Sequence, residues 1–531
     1  MHIKQIKILY IFFLILLSSG INFLYGNIGV FPIDSFAFFD TGFSILQGKH
    51  PFKDIWITTG PVVDYLQAFF FKIFGINWNS YVFHASFLNS LITICSFIFF
   101  VKNKVNIHFS FICSLSIGIL CYPVMGTPFA YHHAYIFSVI AIYIFIDAIK
   151  YKSNLSWFLL PIVMTISFFS MQTPSAYICS IIFLFIITYF LKFNSKNNLK
   201  FFFYGILISS IFYISYFLIL EIPLSNFIEQ YILFPISLGS NRMVGGEGAF
   251  VSLSEKMTLR GLIGHFKFIH LLAAPLIYFL YNLIKKKKNN FDEDAISLSL
   301  IIISIYLFIF NQLLTANQTF IFSLIPIAGG FFYIYSDFNK MTTQKNYLNY
   351  LILLVIIFST IKYHNVYNSD RKFIDLQNVN LSNSLPAKQI DKKFKNLKWI
   401  TPVYSEKVAT EINFLKKSLE ILRSDKRSKM VISDYQIFST LLGEDLNIPN
   451  RWYTHDNNSY PLKNHKYFLF YEKFINNSIK SNEIDVIYII NSTADNDINF
   501  LNFKDYLSSI CFNDKYIIKG VISSHEIIKC K

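Results

Sequence analysis

Long apolar runs with few charges inside them return along this chain. They fall at about residues 8–25, 81–101, 108–122, 134–150, 156–171, 175–192, 201–220, 267–284, 296–314, 319–336 and 347–362. A hydrocarbon core about 30 Å thick is crossed by roughly twenty apolar residues in a helix. Backbone groups in lipid must be satisfied within the segment, so a polytopic α-helical bundle is the fold to expect. The runs are apolar on every side, as helices packed in lipid are. Composition agrees: 15% of the 531 residues are charged and 53% hydrophobic, where a soluble domain carries about 25% charged residues. That excludes an ordinary soluble enzyme, and it excludes disorder, which needs low hydrophobicity. The first run follows Lys4 and Lys7 and has the make-up of a signal peptide as well as of a helix. Its end, Ser18-Ser19-Gly20-Ile21-Asn22, offers no A-x-A cleavage site, and we read it as a retained span.

The net charge of +15 does not point to nucleic acid. Membrane proteins gather Lys and Arg in short cytoplasmic loops, and no zinc-finger or aromatic-plus-basic RNA motif occurs. With the N-terminus inside, the cytoplasmic pieces hold Lys4, Lys7, Lys102, Lys104, Lys150, Lys152, Lys192, Lys196, Lys200, Lys285 to Lys288, Lys340 and Lys345. The outside loops hold only Lys49, Lys53, Lys72, Arg242, Lys256 and Arg260. This asymmetry supports an orientation with the N-terminus cytoplasmic, and we expect a multi-pass protein of the plasma (inner) membrane. The long loops 26–80 and 221–264 and the tail 363–531 then lie outside, and long loops of this kind are usually functional. Two domains are expected: a transmembrane part, 1–362, and an extracytoplasmic α/β part, 363–531.

The tail has the composition of a soluble domain, with 24 Lys and Arg against 19 Asp and Glu. Helical spacing over 406–422 and 467–479, and short apolar runs at 429–433 and 485–490, alternate helix with strand; 515–522 and 525–528 read as a closing strand pair. Arg451-Trp452-Tyr453 reads as a core anchor or as a stacking platform for a sugar. Cys95, Cys113, Cys121 and Cys179 lie in spans as packing residues, while Cys511 and Cys530 are free to pair in an oxidising compartment. No CxxC, HExxH or GxxxxGK[ST] occurs, so no cofactor is expected, no metal site is readable and ATP is not the energy source; a divalent metal stays open.

The first outside loop carries the chemistry. Asp34 stands about nine residues after the first span, at the start of an amphipathic stretch, 35–47, expected to lie on the membrane surface. Gly48 and Pro51 end it, and a second amphipathic stretch, 62–74, follows Gly60-Pro61. A carboxylate held there is placed to take a proton from an acceptor hydroxyl while a lipid-borne leaving group sits in the bilayer. Asp34 also suits a helix cap, Asp40 is the second candidate base or a solvated face residue, Asp54 is a turn-former or an acceptor contact, and Asp64 faces water or pairs locally.

The ordered set Asp34, Gly48 to Asp54, Gly60-Pro61 and Lys72 to Gly75 resembles the first loop of the GT-C superfamily of membrane glycosyltransferases. The resemblance is to the bacterial branch similar to protein O-mannosyltransferases and to aminoarabinose and lipopolysaccharide-core sugar transferases. Ser170-Met-Gln172-Thr-Pro174 is similar to that family's turn between spans five and six, and Thr127-Pro-Phe-Ala-Tyr131-His132-His133 stands where its second outside loop lies. The resemblance covers about residues 1–340. It implies a bundle of eleven to thirteen spans and a polyprenyl-phosphate sugar donor. It also implies a glycan, lipid or protein acceptor and inverting transfer with Asp34 as base. The family often has Lys before the Gly-Pro; here Thr58 and Thr59 stand there, and His132 and His133 replace an acid of the second loop. Thr58, Thr59, His132, His133, Arg242 and Arg260 are the candidates for the donor phosphate, Arg being suited to bidentate contact. A polymerase or ligase of lipid-linked glycans, and a transporter, are the alternatives. Transporters carry ionisable groups at mid-membrane and often show repeats; here the clearest embedded acid is Asp147, near a cytoplasmic span end, and no inverted repeat is visible.

Overall fold

The computed structural model describes residues 3–193, 195–244, 257–286, 292–315, 319–336, 345–453, 458–491 and 503–530. The Gly245–Gly248 run and the end of the 285–288 lysine run lie outside these residues. Ten helices come first: α1 (Ile3–Tyr25), α2 (Pro32–Ser35), α3 (Phe39–Leu46), α4 (Val62–Phe74), α5 (Trp78–Lys102), α6 (Ile107–Cys121), α7 (Ala130–Tyr151), α8 (Asn154–Phe168), α9 (Gln172–Phe193) and α10 (Lys196–Ile219). After α11 (Leu224–Phe227), a π-helical segment (Ile228–Leu233) and α12 (Phe234–Val244) come α13 (His265–Lys286), α14 (Glu293–Thr315), α15 (Leu324–Ser336) and α16 (Lys345–Tyr363). Among the described residues, eight helices are long and apolar enough to cross a membrane, and three shorter apolar helices, Ile107–Cys121, Asn154–Phe168 and Phe320–Ser336, accompany them. Each of the eleven apolar runs of the sequence overlaps one of these, the run 156–171 overshooting its helix by three residues. The protein is a multi-pass membrane protein.

Burial sorts the helices into layers. α7 and α14 are buried on most sides, whereas α1, α9, α10 and α16 turn apolar side chains outward. Leu191 is 83% exposed and Leu218 73%. Contiguous apolar surface of this kind is untenable in water and is what a lipid-facing surface requires. Side chains of the connecting turns set the helix starts: Asn77 accepts from the Ser80 N–H, Asn106 from the His108 and Phe109 N–H groups, and Ser153 from Ser156 N–H.

The tail carries a sheet with strand order β3-β4-β6-β5. β1 (Leu385–Pro386) and β2 (Lys398–Trp399) form a separate antiparallel pair. β3 (Lys429–Ser433) runs parallel to β4 (Val486–Ile490), which runs antiparallel to β6 (Ile522–Ile528), and β5 (Cys511–Ile518) closes the edge. β3 and β4 are wholly buried, as continuous apolar strands between covering layers must be. α17 (Val408–Ser424), α18 (Phe438–Leu442) and α19 (Phe468–Ser481) complete it. Cys511 and Cys530 are joined by a disulfide.

The 35–47 stretch does not lie on a membrane surface. Its main helix α3 is buried from Phe39 to Ser44, beneath the tail. Phe36 stacks on Trp399 at 5.7 Å between ring centroids, and Val30 N–H donates to Ile400 O at 3.0 Å. The tail thus covers the first loop, and the amphipathic face meets protein where lipid was expected.

Candidate functional site

Three carboxylates of the first loop arrive in three different settings. Asp34 lies inside the single turn of α2, started by Pro32, whose ring presets the helical φ. Ser35 Oγ accepts the Phe31 N–H at 2.9 Å, and the Asp34 side chain makes no cap hydrogen bond. Among the described residues the Asp34 carboxylate has no hydrogen-bond or salt-bridge partner. It is half-buried, and desolvation pushes its pKa up to about 6. An unpartnered carboxylate with a pKa near 6 is basic enough to accept a proton and still mostly ionised at neutral pH.

Asp40 is fully engaged. Its two oxygens accept Ser439 N–H at 3.2 Å, Thr440 N–H at 2.8 Å and the Thr440 hydroxyl at 2.6 Å. These are the free N–H groups at the start of α18, where a carboxylate is favoured. Burial pushes its pKa up to about 6, against the pull of those donors and of Lys393. Its place is a tie between loop and tail, which differs from both sequence readings, base and solvated face.

Asp64 neither faces water nor pairs locally. It accepts the Thr41 hydroxyl at 2.7 Å and Arg451 Nη1 at 3.0 Å, a partner 387 residues away. Arg451 Nη2 donates to Thr59 Oγ1 at 2.5 Å, and the guanidinium carbon lies 4.7 Å from the Phe38 ring centre and 4.8 Å from that of Trp452. Both members of the pair are 0% exposed. Burial pushes the Asp64 pKa up and Arg451 opposes it.

The Gly60-Pro61 turn seats on the α8–α9 connection. A Cβ at Gly60 would stand 1.7 Å from the Phe169 carbonyl oxygen, so no other residue fits there without moving backbone. Gly60 N–H donates to Ser170 O at 3.1 Å, and Gln172 Nε2 donates to Thr58 O at 2.9 Å and Tyr231 O at 2.7 Å. Two segments singled out separately in the sequence therefore meet. Trp56 continues the contact into the tail: its N–H donates to Pro449 O at 2.8 Å and its indole to Ser459 O at 3.0 Å.

The remaining sequence candidates are dispersed. Thr58 is buried and bonded through its backbone, and the Thr59 hydroxyl receives Arg451. Asp54 accepts the His50 N–H at 2.8 Å and forms a turn. His132 and His133 are buried on α7; His133 Nδ1 donates to Phe129 O at 2.9 Å and its Nε2 meets His84 Nε2 at 2.9 Å. Arg242 donates to Asn458 in the tail at 2.9 Å, and Arg260 is exposed. The cation beside Thr59 is Arg451, read from the sequence as part of a core anchor or of a sugar-stacking platform, with no ionic partner assigned. His84 and Gln67, joined at 3.0 Å, were missed as well, and nothing local marks either.

The described residues form a multi-helix membrane bundle, a first loop folded against it, and a tail closing over that loop. No described protein family matches the chain, and no curated protein sequence does. Among solved structures the chain is similar to ArnT from Cupriavidus metallidurans, crystallised bound to undecaprenyl phosphate. The TM-score is 0.50 at 9% identity, over 99% of this chain and 98% of that one. At that identity the likeness is one of fold, and it extends through the tail, which the sequence resemblance did not reach.

Proposed function

We propose that this protein is a membrane glycosyltransferase that moves a sugar from a polyprenyl-phosphate donor to an extracytoplasmic glycan, lipid or protein acceptor. The observation that carries the reading is the Asp34 carboxylate, without a partner among the described residues and with its pKa raised to about 6, while Asp40 and Asp64 are both engaged by the tail. Asp34 takes the proton of an acceptor hydroxyl as that oxygen bonds to the anomeric carbon. The bond from that carbon to the phosphate oxygen breaks on the opposite face, and the lipid phosphate leaves with the electron pair. The anomeric centre inverts, and one carboxylate suffices; the second carboxylate that retaining chemistry uses as nucleophile is not required. The ArnT fold supports a glycosyltransferase of this general class. The lysine asymmetry between loops supports an inner-membrane protein with a cytoplasmic N-terminus and the tail, 363–531, outside. On this reading the donor phosphate meets the exposed guanidinium of Arg260 more readily than Thr59 or His133, whose hydrogen-bonding atoms have protein partners, or Arg242, which already donates to Asn458.

The test compares cell-surface glycans by mass spectrometry in wild type, a null strain and Asp34→Asn at matched protein level. Loss of one and the same sugar in the null and in Asp34→Asn supports both the transferase and its base. A sugar lost only in the null moves the base elsewhere. No change in either strain, with the protein made, removes the transferase reading.

A further inference from the structure

Where α1 leaves the membrane the chain runs beside the β1–β2 pair of the tail. Lys398 N–H donates to Asn27 O at 2.9 Å and Gly29 N–H to Lys398 O at 3.0 Å. Beside this junction is a recess of about 660 Å³ lined by Lys388, Lys395, Lys398, Ser382 and Ser384 among others, with no acidic residue in its wall. The three lysines are exposed, and among the described residues none of their ammonium groups has a hydrogen-bond or salt-bridge partner. The acid nearest in sequence, Asp391, accepts the Lys393 N–H at 2.8 Å. Lys393 itself donates to the carbonyls of Thr440 and Leu441 and belongs to the tail's own packing.

Three like charges around one concavity repel each other, and an anion seated between them relieves that repulsion. The volume lies within the range of small-ligand sites. Serine hydroxyls in the wall offer the additional donors that a phosphate takes up. The recess also sits beside the ends of two candidate membrane spans, α1 and α5. Ile28, in its wall, follows the end of α1 by three residues, and Asn396 Nδ2 donates to Asn79 Oδ1, in the first turn of α5, at 3.0 Å.

We propose that this recess binds the phosphate of a lipid headgroup at the membrane surface on the tail's side. The site is separate from Asp34 and does not depend on the transferase reading, because its test reads binding and not sugar transfer.

Full-length protein is placed in nanodiscs of phosphatidylcholine with increasing phosphatidylglycerol, and retained lipid is counted by native mass spectrometry after release. Wild type is compared with K388Q/K395Q/K398Q and with K416Q/K417Q/K426Q, which removes the same charge from exposed lysines elsewhere on the tail. A lysine near an anionic headgroup contributes about fivefold, so the recess variant is expected to bind phosphatidylglycerol about a hundredfold more weakly, with the control variant close to wild type. Glycerol 3-phosphate is titrated in a parallel arm. Binding of that soluble phosphate as tight as the lipid, lost in the same variant, overturns the lipid source while keeping the phosphate site. Equal lipid retention by the two triple variants, or no preference of wild type for phosphatidylglycerol over phosphatidylcholine, overturns the proposal. All six lysines are exposed, so unchanged melting of both variants verifies that folding is not the cause.

Discussion

Replacing Arg451 by Met takes away a guanidinium that has no contact with water and leaves the Asp64 carboxylate without its counter-ion. The pair stands at 3.0 Å with both side chains 0% exposed. Breaking a buried pair from one side costs about 3–5 kcal/mol, because the abandoned charge stays in a low dielectric. Two features place the cost at the lower end. Asp64 keeps the Thr41 hydroxyl at 2.7 Å, and burial already favours its protonated form, so it can neutralise. About 3 kcal/mol corresponds to a rise of more than a hundredfold in the population with the tail lifted from the first loop. Native-state proteolysis of the full chain in nanodiscs at pH 7 reads that population when reclosing outruns cleavage. Arg451→Met is expected to be cut over a hundred times faster than wild type, with new cleavages in loop 26–80. The double variant Arg451→Met with Asp64→Leu replaces the ion pair by apolar groups and is expected to recover most of the loss. Wild-type cutting rates in Arg451→Met, or a double variant whose effect is the product of the two singles, would refute the idea that this pair fastens the tail to the loop.

Two further expectations concern pH. If Asp34 is the base, kcat/KM of the sugar transfer rises through a pKa of about 6 and is flat above it, since only the ionised carboxylate accepts a proton; Asp34→Asn lowers the rate by about 10²–10⁴-fold and abolishes this limb, and a limb that persists in the variant assigns it to another group. Glu411 is buried and held by Trp399 Nε1, Thr401 Oγ1 and Tyr435 OH, yet burial pushes its pKa from 4.5 up to about 7. A raised carboxyl stabilises the fold fully below its unfolded value and loses that contribution as pH rises through the folded one. The tail is therefore expected to melt at a lower temperature at pH 8 than at pH 5, and Glu411→Gln, neutral throughout, flattens that slope; an equal slope in both proteins assigns it elsewhere.

The bundle was legible because crossing a membrane needs an apolar length, and length is written in the sequence. α4 was legible to the residue, since Gly60-Pro61 and Gly75 (φ +86°) bound an amphipathic period over 62–74. The wholly buried β3 and the run of β4 stood out as short apolar segments, and α17 was displaced by two residues from the 406–422 expected. The last hairpin was set too far along the chain. β5 is a largely exposed edge with the polar run Asn513-Asp514-Lys515, which alternation rules do not pick out, and the turn falls at Lys519-Gly520, the glycine at φ +74°. The 35–47 stretch was misplaced for another reason. An amphipathic period says that one face is apolar and not whether lipid or another part of the chain covers it. Asp64 and Arg451 lie 387 residues apart, so no spacing relates them.

The tail explains why one carboxylate of the first loop differs from its neighbours. Asp34, Asp40 and Asp64 lie within 31 residues in the sequence, and all three have pKa values raised by burial. Asp40 meets the amide groups that open α18, and Asp64 meets Arg451; both partners come from the tail. Each contact gives the tail something to hold and removes that carboxylate from proton chemistry. At Asp34 the described tail passes by without donating: Ile400 takes the Val30 N–H, Trp399 takes the Phe36 ring, and the carboxylate between them has no partner among the described residues. Loop positions on both sides of Asp34 are thus fixed while its carboxylate is free. That is the arrangement a general base needs, because its position must be held by groups that do not compete for its proton. Perturbed carboxylates mark sites only as a class; among these three, absence of a partner distinguishes Asp34 from the two that bind the tail.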